Sequence, residues 1–402
     1  MTVLSVRWPH LLILLSSLLG GAALHARGYA TQGRCEGYPR VQVQTPAGYC
    51  VALIADERQG LRFPRRLVEV APGRFWIVDM GSWEPRQGRL LELTLEPGTG
   101  AARVTVLARA LDRPHGLAKG PDNKIYVAEA SRIWRSAADR YAPETVIQDL
   151  PGDGSHPVKE IAFGTGGQLY VSMGSSTDAC QGETGQQPMP CPDRLGPRPR
   201  AAVYEAIFGG PQRTLQSFKP WAVGLRNSMA LAVLPHPGEP DIVLQGENSI
   251  DYADENAPAE EFNHLQQGAD YGWPYCVADR RAAHGYEGRH DCRATQAPRA
   301  LWPAHAAPLH MMAVPDGAAT PWAGQLLVAW HGYRRAGHRV MAFRLDPSGN
   351  IAGSGLALMG DWESKRGVRP QGAPTGLALD SRGRLFVVED RNRTVLMLGR
   401  LK

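Results

Sequence analysis

Residues 64–79 read PRRLVEVAPGRFWIVD: an apolar run, the pair Pro72-Gly73, and a second apolar run. Apolar residues fall at strand spacing on both sides, and the Pro-Gly pair suits a tight reversal. The stretch therefore predicts a β-hairpin. The same sentence returns as RPHGLAKGPDNKIYVAEA at 113–130, HPVKEIAFGTGGQLYVSMGS at 156–175 and LRNSMALAVLPHPGEPDIVLQGEN at 225–248. It recurs as HMMAVPDGAATPWAGQLLVAWHG at 310–332 and APTGLALDSRGRLFVVED at 373–390. Six copies predict an all-β chain, a six-bladed β-propeller in a single domain over 31–402, with insertions at 176–222, 249–309 and 331–339. A sandwich needs fewer strands. An alternating β/α fold needs helical periodicity, and Ala259 to Gln267 is the clearest short stretch of it.

Composition agrees with a turn-rich β protein. Gly 45 and Pro 32 make up about a fifth of the 402 residues, against roughly 12% in ordinary proteins. At 43% hydrophobic and 21% charged, the chain can bury a sizeable core and is not disordered. The net charge of +5 is spread among interspersed acids and bases, so nothing supports a nucleic-acid or membrane-surface partner.

The first residues differ. Arg7 and His10 precede an apolar run from Leu11 to Leu19, which passes into small residues at Gly20 to Ala23. That order predicts a secretory signal peptide over 1–26, cut somewhere between 23 and 30. The run is too short to span a bilayer, so the mature chain is expected without a membrane span, periplasmic or secreted. Six cysteines fit an oxidising compartment and fall as three close pairs. Short loops close at little entropy cost, which favours Cys35–Cys50, Cys180–Cys191 and Cys276–Cys292 among the 15 possible connectivities. Cys-x-x-Cys is absent, and with it any zinc-ribbon, thioredoxin-like or c-type haem signal.

Nucleophile elbow, zinc-protease helix, Walker loop and Rossmann fingerprint are all missing from the sequence. What remains is a set of polar residues where inner strands begin: His115, His156, Arg226 with Asn227, His310 and Arg369. The stretches around them resemble the soluble quinoprotein sugar dehydrogenases, in particular the sorbosone dehydrogenase-like branch. The resemblance is carried by RPHGL from Arg113, GLRNSMALA from Gly224 and GENSIDYADENAPAEEFNHLQQGADYGWPYC from Gly246. PAHAAPLHM from Pro303, WHGYRRAGHRV from Trp330 and RPQGAPTGLALDSRGRLFVVED from Arg369 extend it to the C-terminus.

The resemblance implies a six-bladed propeller that binds pyrroloquinoline quinone (PQQ) with Ca²⁺ and oxidises a sugar, an aldose or related polyol or aldehyde. Electrons would pass to a separate acceptor, a quinone or a cytochrome. His156 stands where the family has its base, taking the substrate hydroxyl proton as hydride leaves the same carbon. An unperturbed imidazole would make the rate fall below about pH 6.5. Arg226 and Asn227 match the family's cofactor-binding pair, and a guanidinium suits both carboxylates and a reducing quinone. Arg369 resembles an arginine preceding the last inner strand, and His115 stands where glucose-oxidising members carry glutamine near the cofactor. Those members also place a lysine where this chain reads His331-Gly332-Tyr333-Arg334-Arg335, so Arg334 or Arg335 is the expected substitute. By the same resemblance, calcium is expected at the carbonyls near Ala257 and Pro258 and at Glu260, Glu261 and Tyr271. Trp273 and Trp302 are read as packing residues.

Two other functions stay open at this level: a binding propeller without catalysis, and a metal-dependent lactonase-type hydrolase. The hydrolase needs channel carboxylates where these repeats offer His and Arg.

Overall fold

The computed structural model describes residues 29–401 except 97, 183, 361 and 363–371. The expected leader and Arg369 lie outside the described residues. The chain is all-β, and each of the six hairpins supplies the two inner strands of one blade. Blade 1 runs outward from the axis as Pro64–Ala71, Arg74–Asp79, Gly88–Glu96 and Ala101–Leu111. Blade 2 begins with Leu117–Lys119 and Ile125–Ala128, and blade 3 with Ile161–Phe163 and Leu169–Met173. Blade 4 contains Ala230–Leu234, Ile242–Glu247, Glu260–Leu265 and Ala300–Trp302. Blade 5 begins with Pro308–Ala313 and Gln325–Trp330, and blade 6 with Pro374–Leu379 and Leu385–Glu389.

The second strand of each blade lies between its neighbours, so both of its faces must be apolar. Leu169–Met173 and Leu385–Glu389 are buried at every residue. Phe75 meets Phe386 across the junction of blades 1 and 6 with ring centroids 4.6 Å apart. Trp302 packs on Phe262, Trp330 and Phe343 between blades 4 and 5, and Trp273 is likewise buried, which bears out the packing reading of both tryptophans.

The stretch expected to have helical character is a strand. Glu260–Leu265 pairs with the second strand of blade 4, Glu261 opposite Glu247 and Phe262 opposite Gly246. Burying Phe262 and Asn263 in that ladder outweighs the local helical propensity of the acidic stretch.

Closure uses both ends of the chain. Tyr49–Ala55 pairs antiparallel with Thr394–Arg400 and forms the outer part of blade 6. Tyr38–Val41 and Thr31–Cys35 extend that sheet, and Cys35–Cys50 ties it covalently. Cys180–Cys191 and Cys276–Cys292 complete the sequential pairing. Both lie in one apolar cluster with Trp273, Tyr275 and Tyr286, which joins the two long insertions.

At the axis, Met80, Val158, Met229 and Leu309 form a small apolar cluster. Through it passes Arg66, 1% exposed, whose guanidinium donates to the carbonyls of Thr375, Leu309 and Met229 and pairs with Glu160. One side chain thus joins blades 1, 3, 4, 5 and 6. Burial lowers its pKa to about 10, so it stays charged at neutral pH. Arg66→Met should cost about 3–5 kcal/mol, because Glu160 would keep a buried, unpaired charge. Arg66→Met with Glu160→Gln should recover part of that loss; urea unfolding of the three proteins measures it.

Candidate active site

Residues that precede the inner strands and follow the second strands gather at one end of the ring. In four blades an acid ends the second strand, or in blade 2 directly follows it, and its carboxylate holds backbone amides of this end. Asp79 accepts from the amides of Arg62, Phe63 and Gly81 at 2.8–2.9 Å. Glu129 accepts from Asp112 at 2.6 Å, Glu247 from Asn227 at 3.0 Å, and Glu389 from Asn392 at 2.9 Å and Ala373 at 3.4 Å. Blades 3 and 5 carry Met173 and Trp330 at that strand position. In blade 5 the approach to the inner strand is held from blade 4, where Glu260 accepts from Ala307 at 3.1 Å.

Blade 3 holds His156 instead. Its Nδ1 lies 3.0 Å from the Ser175 carbonyl oxygen and 2.9 Å from Ser175 Oγ. A carbonyl oxygen only accepts, so Nδ1 carries the proton. Ser175 Oγ in turn donates to the Thr177 carbonyl at 2.6 Å, which leaves it as an acceptor toward the imidazole. The tautomer is thereby fixed and Nε2 keeps its lone pair, without a hydrogen-bond partner among the described residues. The second strand leaves through Gly174, where a Cβ would sit 2.5 Å from His156 Cβ and 2.7 Å from its carbonyl oxygen. Only glycine permits that approach. Burial first, and then the charge of Arg226, lower the His156 pKa to about 3.

Arg226 and Asn227 join His156. The Ser175 amide donates to the Arg226 carbonyl at 2.8 Å, and Asn227 Oδ1 comes within 3.5 Å of where a Gly174 Cβ would stand. Arg226 is buried and donates to the carbonyls of Asp178 and Asn248 at 3.2 and 2.9 Å. It also pairs with the carboxylates of half-buried Asp178 and exposed Asp251 at 2.6 and 2.8 Å. Asn227 Oδ1 is buried with no hydrogen-bond partner.

Other expected residues have different surroundings. His115 is fully buried; its Nδ1 accepts from Arg65 Nε at 3.0 Å and its Nε2 lies 3.5 Å from Glu160. It has no surface to offer a cofactor and instead orients Arg65. Arg334 donates to His305 at 2.9 Å and pairs with Glu255 at 3.4 Å, bridging its loop to the segment before Ala257 and Pro258. Glu260 spends both oxygens on the Ser249 and Ala307 amides, and Tyr271 Oη donates to the His264 carbonyl at 2.6 Å. Glu261 accepts from Asn263 at 3.2 Å, and burial together with Glu247 pushes its pKa well above the usual range. Among the described residues no three His, Cys, Asp or Glu side chains are grouped to hold a metal ion. Glu260 and Tyr271 are thus bound up in the scaffold, because buried amides and carbonyls at these turns need partners.

The sequence reading missed a second network on the side of blades 1, 5 and 6. Arg65 pairs with Asp390, and Asp390 accepts from His331 Nε2 at 3.1 and 3.2 Å. Burial opposes ionisation of Asp390, but His331 and Arg65 hold its pKa below the usual range. Its signal was present in Arg65-Arg66, two adjacent cations at the start of an inner strand, and in Asp390 directly after the strand-ending Glu389.

Two tests follow from these charges. With its pKa near 3, His156 stays neutral through ordinary acid conditions, so its imidazole should show no protonation step near pH 6.5; an NMR titration down to pH 4 checks this. Burial raises the Glu247 pKa to about 7, so its protonated form favours folding below about pH 4.3 and that stability is lost as pH climbs to 7. Glu247→Gln mimics the protonated acid. It should gain about 1 kcal/mol relative to wild type at pH 5, rising to on the order of 3–4 kcal/mol at pH 7–8, read as the difference between paired denaturation curves.

No curated protein matches the sequence. The solved structures that resemble it include a family AA12 protein of Trichoderma reesei, at 18% identity, TM-score 0.69, covering 92% of this chain and 100% of that one. The PQQ domain of pyranose dehydrogenase from Coprinopsis cinerea matches at 19% identity and TM-score 0.69, covering 91% and 99%. The soluble aldose sugar dehydrogenase of Escherichia coli matches at 14% identity and TM-score 0.55, covering 87% and 99%. At such identities they speak for the shared propeller. The TrAA12-like family model matches residues 43–401, nearly all of the blades and the residues that carry the quinoprotein resemblance, and the chain belongs to that family.

Proposed function

We propose that this chain is an exported, PQQ-dependent dehydrogenase that oxidises a sugar hydroxyl and hands the electrons to a separate acceptor. The observation that carries the reading is the His156 tautomer: a neutral imidazole with Nε2 free to accept, beside the buried Arg226. Family membership and structural relatives that include sugar dehydrogenases support the same class. Three disulfides support an oxidising compartment, and no helix among the described residues is long and apolar enough to cross a membrane.

The residues fit the quinone on two observations: a buried, unpartnered Asn227 Oδ1, and an arginine whose carboxylate partners are the exposed Asp251 and the half-buried Asp178. Arg226 would bind the cofactor by exchanging Asp178 or Asp251 for one of its carboxylates. Arg369 and Arg334 are further proposed cations for it. When bound, the quinone supplies a two-electron acceptor for hydride. His156 Nε2 takes the hydroxyl proton as the carbon–hydrogen bond breaks, and Ser175 holds the ring so that the lone pair faces the substrate. Arg226 favours the neutral imidazole before the reaction and drives the proton onward afterwards, since its charge opposes an imidazolium. Calcium fits less well on side chains, with Glu260 and Tyr271 already engaged. The carbonyls of Ala257 and Pro258 with Glu261 are its proposed donors, and no proton step depends on it.

A lactonase needs a metal held by channel carboxylates, and the carboxylates at this end are bound to backbone amides. Purified protein given PQQ and Ca²⁺ should reduce a dye across part of a sugar panel. His156→Gln should bind the quinone equally well yet reduce it about 10²–10⁴-fold more slowly in a single turnover. A variant within threefold of wild type would remove His156 as the base, and a sugar panel giving no dye reduction would remove the dehydrogenase reading.

A further inference from the structure

Trp83 stands apart from the other described tryptophans, which are buried except for half-buried Trp221. Its side chain is 53% exposed. It sits on the turn between the second and third strands of blade 1, at the same end of the ring as His156. This turn is held firmly. Asp79 accepts from the Gly81 amide at 2.9 Å, and the Ser82 amide donates to the Met80 carbonyl at 2.8 Å. Ser82 Oγ accepts from the Glu84 amide at 3.1 Å. At Gly81, φ is +72°, and a Cβ there would run into the Gln87 carbonyl, so the neck of the turn needs glycine.

The indole is also backed from behind. Phe63 meets it edge-on at 6.2 Å, and the Arg65 guanidinium lies 6.0 Å from its ring centre and 5.2 Å from that of Phe63. Arg65 is itself fixed by Asp390 and His115. The result is a firmly held aromatic plate at the same end of the ring as His156, with one face on a cation and about half of its surface open to solvent. Its turn neighbours Glu84, Pro85, Arg86 and Gln87 are all exposed. A protein partner's hot spot calls for a broader apolar patch that can be desolvated. An isolated plate with a polar, charged rim suits a ligand that has one apolar face and a hydroxylated edge.

We propose that Trp83 is a stacking subsite for the ring of a cyclic sugar, so that the substrate is a pyranose or a glycan ending in one, rather than an open-chain polyol or aldehyde. This rests on the sugar dehydrogenase reading for its catalytic consequence but not for binding. A pyranose presents a flat face of axial C–H bonds to the indole, while its equatorial hydroxyls reach the exposed Glu84 and Arg86. An open-chain polyol has no such preformed face and would lose conformational entropy to make one.

The test uses the full-length mature protein. Methyl β-D-glucopyranoside should perturb tryptophan fluorescence in wild type and not in Trp83→Ala, while sorbitol at the same concentration should do nothing. The titration is run on apo-protein and again after adding PQQ and Ca²⁺. In the loaded enzyme, Trp83→Ala should raise KM for the pyranose about tenfold, the scale of one aromatic stacking contact, with little change in kcat. No perturbation in either state, an equal response to sorbitol, or an unaltered response in Trp83→Ala would overturn the subsite. A raised KM for the electron acceptor instead of the sugar would also overturn it and assign the plate to the redox partner. If no sugar is oxidised but the pyranoside still perturbs Trp83, the dehydrogenase reading falls and the subsite stands.

Discussion

Closing six sheets into a ring drives main-chain carbonyls from several blades toward one axis, where they cannot pair with one another. Arg66 resolves this. Its guanidinium has five donors, and it meets carbonyls of Thr375, Leu309 and Met229 together with the Glu160 carboxylate. A lysine would offer three donors from a point and could not span as many blades. The residue before it sits at an irregularity in the register between Pro64 and Arg66. Arg65 turns into the network of Asp390, His115 and His331, so two consecutive residues tie ring closure to the geometry of the mouth.

Above that plug, the six repeats are alike in sequence but divide into two kinds. Blades 1, 2, 4 and 6 carry Asp or Glu at the end of the second strand or, in blade 2, directly after it, and use the carboxylate to fix loop amides. Blades 3 and 5 lack the acid, and it is there that His156 and His331 stand. A scaffold carboxylate beside His156 would favour the imidazolium and cost it its role as a proton acceptor. Replacing the acid by a serine hydroxyl and a carbonyl holds the ring in place without adding charge.

How much of this was legible follows from the range of each interaction. The hairpins could be read because their turns and alternation are local. The disulfide pairs could be read because each closes a short loop, 15, 11 and 16 residues apart. His156, Arg226 and Asn227 were reached through resemblance, and the structure adds why they belong together: the Ser175 amide donates to the Arg226 carbonyl. Arg65 and Asp390 are separated by 325 residues and meet only because the ring closes between blades 6 and 1. No local pattern announces such a pair. Glu260 misled for a related reason, since an acidic segment reads as metal-binding until its oxygens are seen to hold the Ser249 and Ala307 amides.

Burial acts on both kinds of titrating group at this end, and in opposite senses. It raises Glu247, Glu260 and Glu389 to about 7, and it lowers His156 to about 3 and His115 and His310 well below their ordinary value. Each raised carboxyl loses stabilising free energy as pH rises toward 7, whereas each lowered histidine regains it as pH rises toward 6.5. Across the mildly acidic range the two sets therefore offset, and the fold need not depend strongly on pH although its interior titrates. A site that keeps imidazoles neutral beside arginines can hold that arrangement over a wide range for the same reason. An imidazolium at His156 is disfavoured both by burial and by the charge of Arg226.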